Sequence, residues 1–182
     1  MFHNYLEKLH ELNILIDRSN TEFRTLWINN VFLSWRWWLC LSLTILSWVL
    51  WIRFRKKEST ARLLFVGFFV IIIAMLFDDI GTELYIWSYN VDIDPITPSF
   101  IMWDMSLLPV YTMAFLQYKP TANPFIKSIV YSAFASFIFQ PFFTWLQFYN
   151  PGKWKHYYSF PIFILIYLIA HFCLNRKSFD VL

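Results

Sequence analysis

Between Arg62 and Asp78 the chain reads LLFVGFFVIIIAMLF, without one charged residue. A helix crossing the hydrocarbon of a bilayer needs about 20 mainly apolar residues. Five stretches meet that length: about 31–52, 62–83, 98–118, 125–148 and 158–175. The composition agrees, being 58% hydrophobic and 15% charged, where a soluble domain has about 45–50% apolar and about 25% charged residues. The expected fold class is all-α, a polytopic transmembrane bundle of five spans (residues 31–182) preceded by an extracytoplasmic amphipathic helix (residues 1–30).

In that N-terminal segment Leu6, Leu9, Leu12, Leu15 and Ile16 follow helical spacing between polar positions. It carries both signs of charge, so it is no basic anchor. It fits a helix lying on the membrane surface, or one packed on its own protein. A cleavable signal peptide would need a basic start and a central apolar stretch. The first 30 residues have neither, so the first span is expected to act as the insertion signal.

Lys and Arg set the orientation. Arg53, Arg55, Lys56, Lys57, Arg62, Lys119, Lys127, Arg176 and Lys177 fall on one side, and Lys8, Arg18, Arg24, Lys153 and Lys155 on the other. The richer side is read as cytoplasmic, which places the N-terminus outside a plasma membrane and the C-terminus inside. Aromatics make up 23% of the chain, part of them an interfacial belt. Only 3 glycines are present, which argues against GxxxG-type close packing and against Gly-broken transporter helices. Cys40 and Cys173 have no metal spacing and read as free, packed thiols. The small net charge of +3 does not suggest nucleic acid.

The polar residues inside the spans gather at one depth. Asp78 and Asp79 lie near the outer end of the second span, roughly 6 Å below it at 1.5 Å per residue. Asp104 enters the third span by roughly 9 Å from the same side. Arg36, Gln140, Gln147, Tyr157, Tyr158 and Ser159 share that outer half, while the inner half is nearly featureless apart from His171. Intramembrane carboxylates are costly and need partners or water, and Arg36 is the candidate partner of Asp78 or Asp104. Asp79 and Glu83 share a helix face; with Asp92 and Asp94 they fit hydrated, interfacial positions. Pro109 frees the carbonyl of Met105, one residue from Asp104, while Pro141 and Pro161 fit simple kinks. The expected polar pocket draws on Asp78, Asp104, Arg36, Glu83, Trp103, Gln140 and Tyr158.

Three kinds of chemistry fit such a pocket. It could bind a small amphipathic or lipid-like molecule beside the membrane lipids. It could be an enzyme on a prenyl or other lipid, with a protonated Asp78 or Asp104 as acid and Trp103, Trp145 or Phe142 lining the cation's path. DDIGTE lacks the DDxxD spacing of metal-diphosphate sites, and no second acidic cluster answers it. It could also pass protons or cations, although no polar chain continues inward. No nucleotide, haem, iron–sulfur or Ser-His-Asp signature is present, so neither cofactor nor metal is expected. The sequence implies no particular oligomeric state.

The motif DxIGxxLxxWxY, here Asp78, Ile80, Gly81, Leu84, Trp87 and Tyr89, is followed by WDxSLLPV at 103–110 and WKxYYSFPIF at 154–163. In this order the chain resembles a family of small, uncharacterised integral membrane proteins of spore-forming Gram-positive bacteria, over about residues 35–170. The resemblance implies a polytopic helical fold in the plasma membrane and no activity. It singles out Asp78, Trp87, Trp103, Asp104, Pro109, Trp154, Tyr158 and Pro161. Where members of that family carry an acid before the proline of the fourth span, this chain has Gln140.

Overall fold

The computed structural model describes residues 2–176, so Lys177 and the end of the basic tail lie outside the described residues. Helix α1 (Phe2–Asn30) leads to α2 (Trp35–Phe54), whose first turn is capped by Ser34 Oγ accepting from Trp37 N. A 3-10 turn (Lys57–Ser59) opens α3 (Thr60–Glu83). Residues 84–100 form a strap containing the short strand β1 (Ser88–Tyr89). The next helix is continuous over 101–117, a π turn (Trp103–Leu107) running into α4 (Leu108–Gln117). Then α5 (Pro124–Phe134), a second π turn (Ala135–Phe139) and α6 (Gln140–Trp145) make another continuous helix. Strand β2 (Tyr149–Asn150) and α7 (His156–Leu174) complete the described chain.

Among the described residues, four helices are long and apolar enough to cross a membrane: Trp35–Phe54, Lys57–Glu83, Pro124–Trp145 and His156–Leu174. The stretch 98–118 does not form a helix of full spanning length, because Pro98, Ser99 and Phe100 stay in the strap. The 101–117 helix is nonetheless the centre of the bundle. The first π turn packs on α2 and α3, and α4 on α2, α3, α5 and α7. Its buried residues include Met102, Asp104, Ser106, Leu108, Thr112, Met113 and Leu116.

Both π turns sit just before a proline. A proline ring clashes with the carbonyl four residues back and offers no N–H. The wider turn absorbs this, with Leu108 N donating to Trp103 O and Gln140 N to Ala135 O. The carbonyl that Pro109 frees is found by α2, since Trp48 Nε1 donates to Met105 O at 3.1 Å. π turns are frequent at functional sites, and these two carry Trp103 and Asp104 and lead directly into Gln140.

Close packing does not depend on a GxxxG motif. Ser128, Ser132, Ala135 and Ser136 are buried on α5 and its π turn, whose main partner is α7. Ser128, Ser132 and Ser136 are spaced by four, and with Ala135 these small side chains let the backbones approach as glycines would. Gly67 does the same between α3 and α4, where a Cβ would stand 2.8 Å from Met113 Sδ. Two apolar clusters result. The larger runs through Val66, Val70, Leu108, Tyr131, Phe163 and Tyr167. The smaller gathers Cys40, Val91, Phe100, Met102, Phe143 and Phe148 under the strap, and Trp103 packs against both.

Helix α1 stands largely apart. Trp27 is its one buried residue, donating from Nε1 to Asp92 O at 3.2 Å, while Leu6, Leu9, Leu12, Leu15 and Ile16 are exposed.

Candidate functional site

The roof of the site is built by two matching helix ends. At the end of α3, Ile86 N donates to Gly81 O (2.9 Å) and Tyr85 N to Thr82 O (3.0 Å), with Tyr85 left-handed at φ 51°. At the end of α6, Phe148 N donates to Phe143 O and Gln147 N to Thr144 O, both at 3.0 Å, with Gln147 at φ 63°. These are the paired bonds that reverse a chain after a helix. They send both segments back to pair as β1 and β2, with Tyr89 opposite Tyr149. Gly81 is required here, because a Cβ would lie 1.9 Å from Trp87 Cζ2. The Trp87 indole therefore lies on the last turn of α3, edge-on to Trp154 at 5.1 Å.

Under this roof, carboxylates meet the N-terminal end of the 101–117 helix. Asp78 Oδ2 accepts from Tyr89 Oη at 2.7 Å and from Phe100 N at 3.4 Å. Asp92 Oδ2 accepts from Ile101 N at 3.0 Å, and its Oδ1 from Ile93 N at 2.6 Å. A helix N-terminus has unpaired N–H groups and favours negative charge, so both acids cap it from outside. Asp104, in the first turn, lines the same cavity as Asp78. Asp104 Oδ2 is left with no partner among the described residues, although the residue is only 2% exposed.

In the strap, burial pushes the Asp92 carboxyl up to about 7, against the lowering pull of the Ile93 and Ile101 amides. Burial, with Asp78 and Asp104 nearby, pushes the Tyr89 hydroxyl up as well, which keeps it a donor. The expectation that Asp92 is hydrated is thus corrected. It is 8% exposed and structural, because the strap folds back over the helix it caps.

A cavity of about 80 Å³ lies against the acid pair. Its upper wall is polar and aromatic: Asp78, Asp104, Gln140, Ser159, Tyr89, Tyr149, Trp87, Trp103 and Trp154. Its floor is apolar: Ala74, Leu108, Phe163 and Ile166. Ser159 Oγ accepts from Gln140 Nε2 (2.9 Å) and Trp154 Nε1 (2.8 Å), tying α6, the β2–α7 loop and α7 together. Gln140 Oε1 and Trp87 Nε1 are buried without a hydrogen-bond partner among the described residues. Phe77 lines the cavity yet is 47% exposed, so this wall of the cavity reaches the outside of the bundle on α3.

Of the residues expected from the sequence, Asp78, Asp104, Trp103 and Gln140 meet at this cavity. Three do not. Arg36 turns to Gln147 Oε1 (3.3 Å) and stacks on Trp35, because its position on α2 faces the α6–β2 turn rather than the acids. Glu83 is exposed at the outer end of α3. Tyr158 is 45% exposed and touches the site only through its ring contact with Trp154. Trp145 and Phe142 also face outward, at 75% and 47% exposure, and line nothing here. Tyr89, Tyr149 and Ser159 were not among the expected site residues. Trp87 and Tyr89 stand two apart, a spacing that places both on one face of an extended segment.

The half of the bundle away from the acids, expected to be nearly featureless, holds polar contacts as well. Thr112 Oγ1 and Tyr131 Oη are 2.8 Å apart, and Tyr111 Oη donates to Tyr131 O at 3.1 Å. Lys127 Nζ donates to Tyr118 O at 2.7 Å. Ion pairs form on α1, at His3–Glu7 and Arg18–Glu22, away from Asp78 and Asp104. No group of three or more potential metal ligands occurs among the described residues, and Cys40 and Cys173 are free thiols. No protein-family model matches this chain, and no curated protein or solved structure does.

Proposed function

We propose that this is a multi-pass protein of the plasma membrane whose outer-leaflet cavity binds a small amphipathic or lipid-like ligand. The observation that carries the reading is the cavity itself. It sets a paired carboxyl group and the unpartnered Asp104 Oδ2 and Gln140 Oε1 over an apolar floor. Buried polar atoms are rarely left unmet, and a polar head over an apolar floor suits a molecule with both characters.

The same proposal takes the 101–117 helix as a fifth, short crossing enclosed by the other four, with the N-terminus outside. Its burial by the surrounding helices supports this, since a central helix need not match the bilayer by itself. Helix α1 is then a surface helix. Its exposed apolar residues, and its anchor at Trp27 beside the strap, support a position at the outer interface. The motif resemblance to the uncharacterised family of spore-forming bacteria adds membrane residence and nothing chemical.

A second reading, acid catalysis on a prenyl or other lipid, draws on the neighbouring Asp78 and Asp104 carboxyls beside Trp103. Conduction of protons or cations is less well supported, because Leu108, Phe163 and Ile166 form an apolar floor beneath the acids.

Native mass spectrometry of protein extracted in mild detergent tests the main reading. The expected result is a small adduct on the wild-type chain that Trp103→Ala and Asp104→Asn lose. Bare protein from membranes, together with an acid-dependent proton flux in liposomes, would contradict it.

A further inference from the structure

The cavity asks for a particular chemistry. Asp104 Oδ2 and Gln140 Oε1 are both acceptors, buried and unpartnered among the described residues. What meets them must donate hydrogen bonds, while the buried Trp87 Nε1 donor beside them faces Asp78. Neither Asp78 nor Asp104 is in the ion pairs found on α1, and a positively charged donor suits two neighbouring carboxyls that face one cavity. The walls are the faces and edges of Trp87, Trp103, Trp154, Tyr89 and Tyr149, and aromatic faces attract cations. A divalent metal is disfavoured, since hard cations take six or more oxygen ligands and no cluster of three ligating side chains occurs among the described residues.

Size decides how much of the ligand is held. Drug-sized ligands occupy pockets of about 300–1,000 Å³, whereas this cavity measures about 80 Å³. It accommodates a head group only, and the remainder of the ligand must leave past Phe77 toward the lipid. A quaternary ammonium has no N–H and would leave both acceptors unmet, whereas a primary ammonium has three donors.

We infer that the cavity recognises the primary ammonium head of a lipid-chain amine, seated on Asp104 and Gln140 within the aromatic walls. This rests on the ligand-binding reading proposed above. The amine can come from a single-chain amphiphile or from an aminophospholipid headgroup, which share this chemistry.

The test measures thermal unfolding of the purified chain in a nonionic maltoside detergent. Octylammonium, octyltrimethylammonium and octanol are added separately at equal concentration. The expected result is a rise in Tm of several degrees with octylammonium and at least threefold less with the other two. Gln140→Met, whose Tm without added amine is measured first because it also loses the bond to Ser159, is expected to lose most of the octylammonium shift, and Asp104→Asn all of it. Equal shifts from octylammonium and octanol would overturn the ammonium inference and leave the amphiphile reading intact. No shift from any of the three would count against both. A second arm compares nanodiscs of phosphatidylcholine with nanodiscs containing phosphatidylethanolamine. A rise in Tm confined to the latter assigns the head to a phospholipid, and a response to octylammonium alone assigns it to a free amine. No response in either arm overturns the inference.

Discussion

The two ends of the 101–117 helix solve the same problem differently. At the C-terminal end, Lys127 Nζ donates to Tyr118 O and Lys119 O, placing one cation on the carbonyls that a helix C-terminus leaves unpaired. One charge meets one need there. At the N-terminal end, Asp78 and Asp92 already supply acceptors to Phe100 N and Ile101 N. Asp104 is a further carboxyl, buried and facing the cavity that Asp78 also lines. The C-terminal end is capped; the N-terminal end is capped and then given one more carboxyl. A buried carboxyl that the helix does not require is a cost to stability, and such costs collect where a chain binds or reacts.

Several variants would break or sharpen that contrast. The largest effect is expected from Gly81→Ala, which drives a methyl into the Trp87 ring. It should cost roughly 2–4 kcal/mol through displaced packing, visible in thermal unfolding together with a shift in tryptophan emission. Asp78→Ala removes the acceptor of Tyr89 Oη and Phe100 N. It should cost roughly 2–3 kcal/mol, as a lost charge-assisted bond and helix cap. Lys127→Met keeps the stem and removes the donor to Tyr118 O, for roughly 1–2 kcal/mol. Both losses can be read from denaturation in mixed micelles.

A pH series isolates the third acid. Asp92 is held at about 7 in the folded chain, above the 3.8 of a free aspartate side chain. Between those values the unfolded chain has released a proton that the folded chain keeps. Its contribution to stability is therefore full below about pH 4, falls as pH rises toward 7, and is flat above. The fall is at most roughly 4 kcal/mol at 1.36 kcal/mol per unit. Asp92→Asn should remove that slope, and an unchanged slope would mean that Asp92 is ionised in the fold.

Much of this was legible in the sequence, and the exceptions have physical causes. Apolar run length revealed the helices that can cross a membrane, and proline chemistry located the Met105 carbonyl, which Trp48 then occupies. Depth alone brought Asp78, Asp104, Trp103 and Gln140 to one level. Depth does not give azimuth, however, and Arg36 at the right level points toward Gln147. The inner polar layer of Thr112 and Tyr131 is made of residues that hydropathy averages into the apolar background. The strap was the hardest part. A 17-residue stretch with two Asp, two Pro and two Ser reads as a hydrated loop. Only the folded chain shows Asp92 turned inward and Tyr89 placed on Asp78.

The central claim is that Asp104 is a carboxyl the fold does not need. Thermal unfolding of Asp104→Asn in maltoside detergent, without added ligand, tests it most directly. The account predicts a Tm equal to or above that of the wild-type chain, since the amide keeps the side chain's shape and removes a buried acid. A fall of several degrees would show that Asp104 holds the bundle together, and would return the cavity to the structural core.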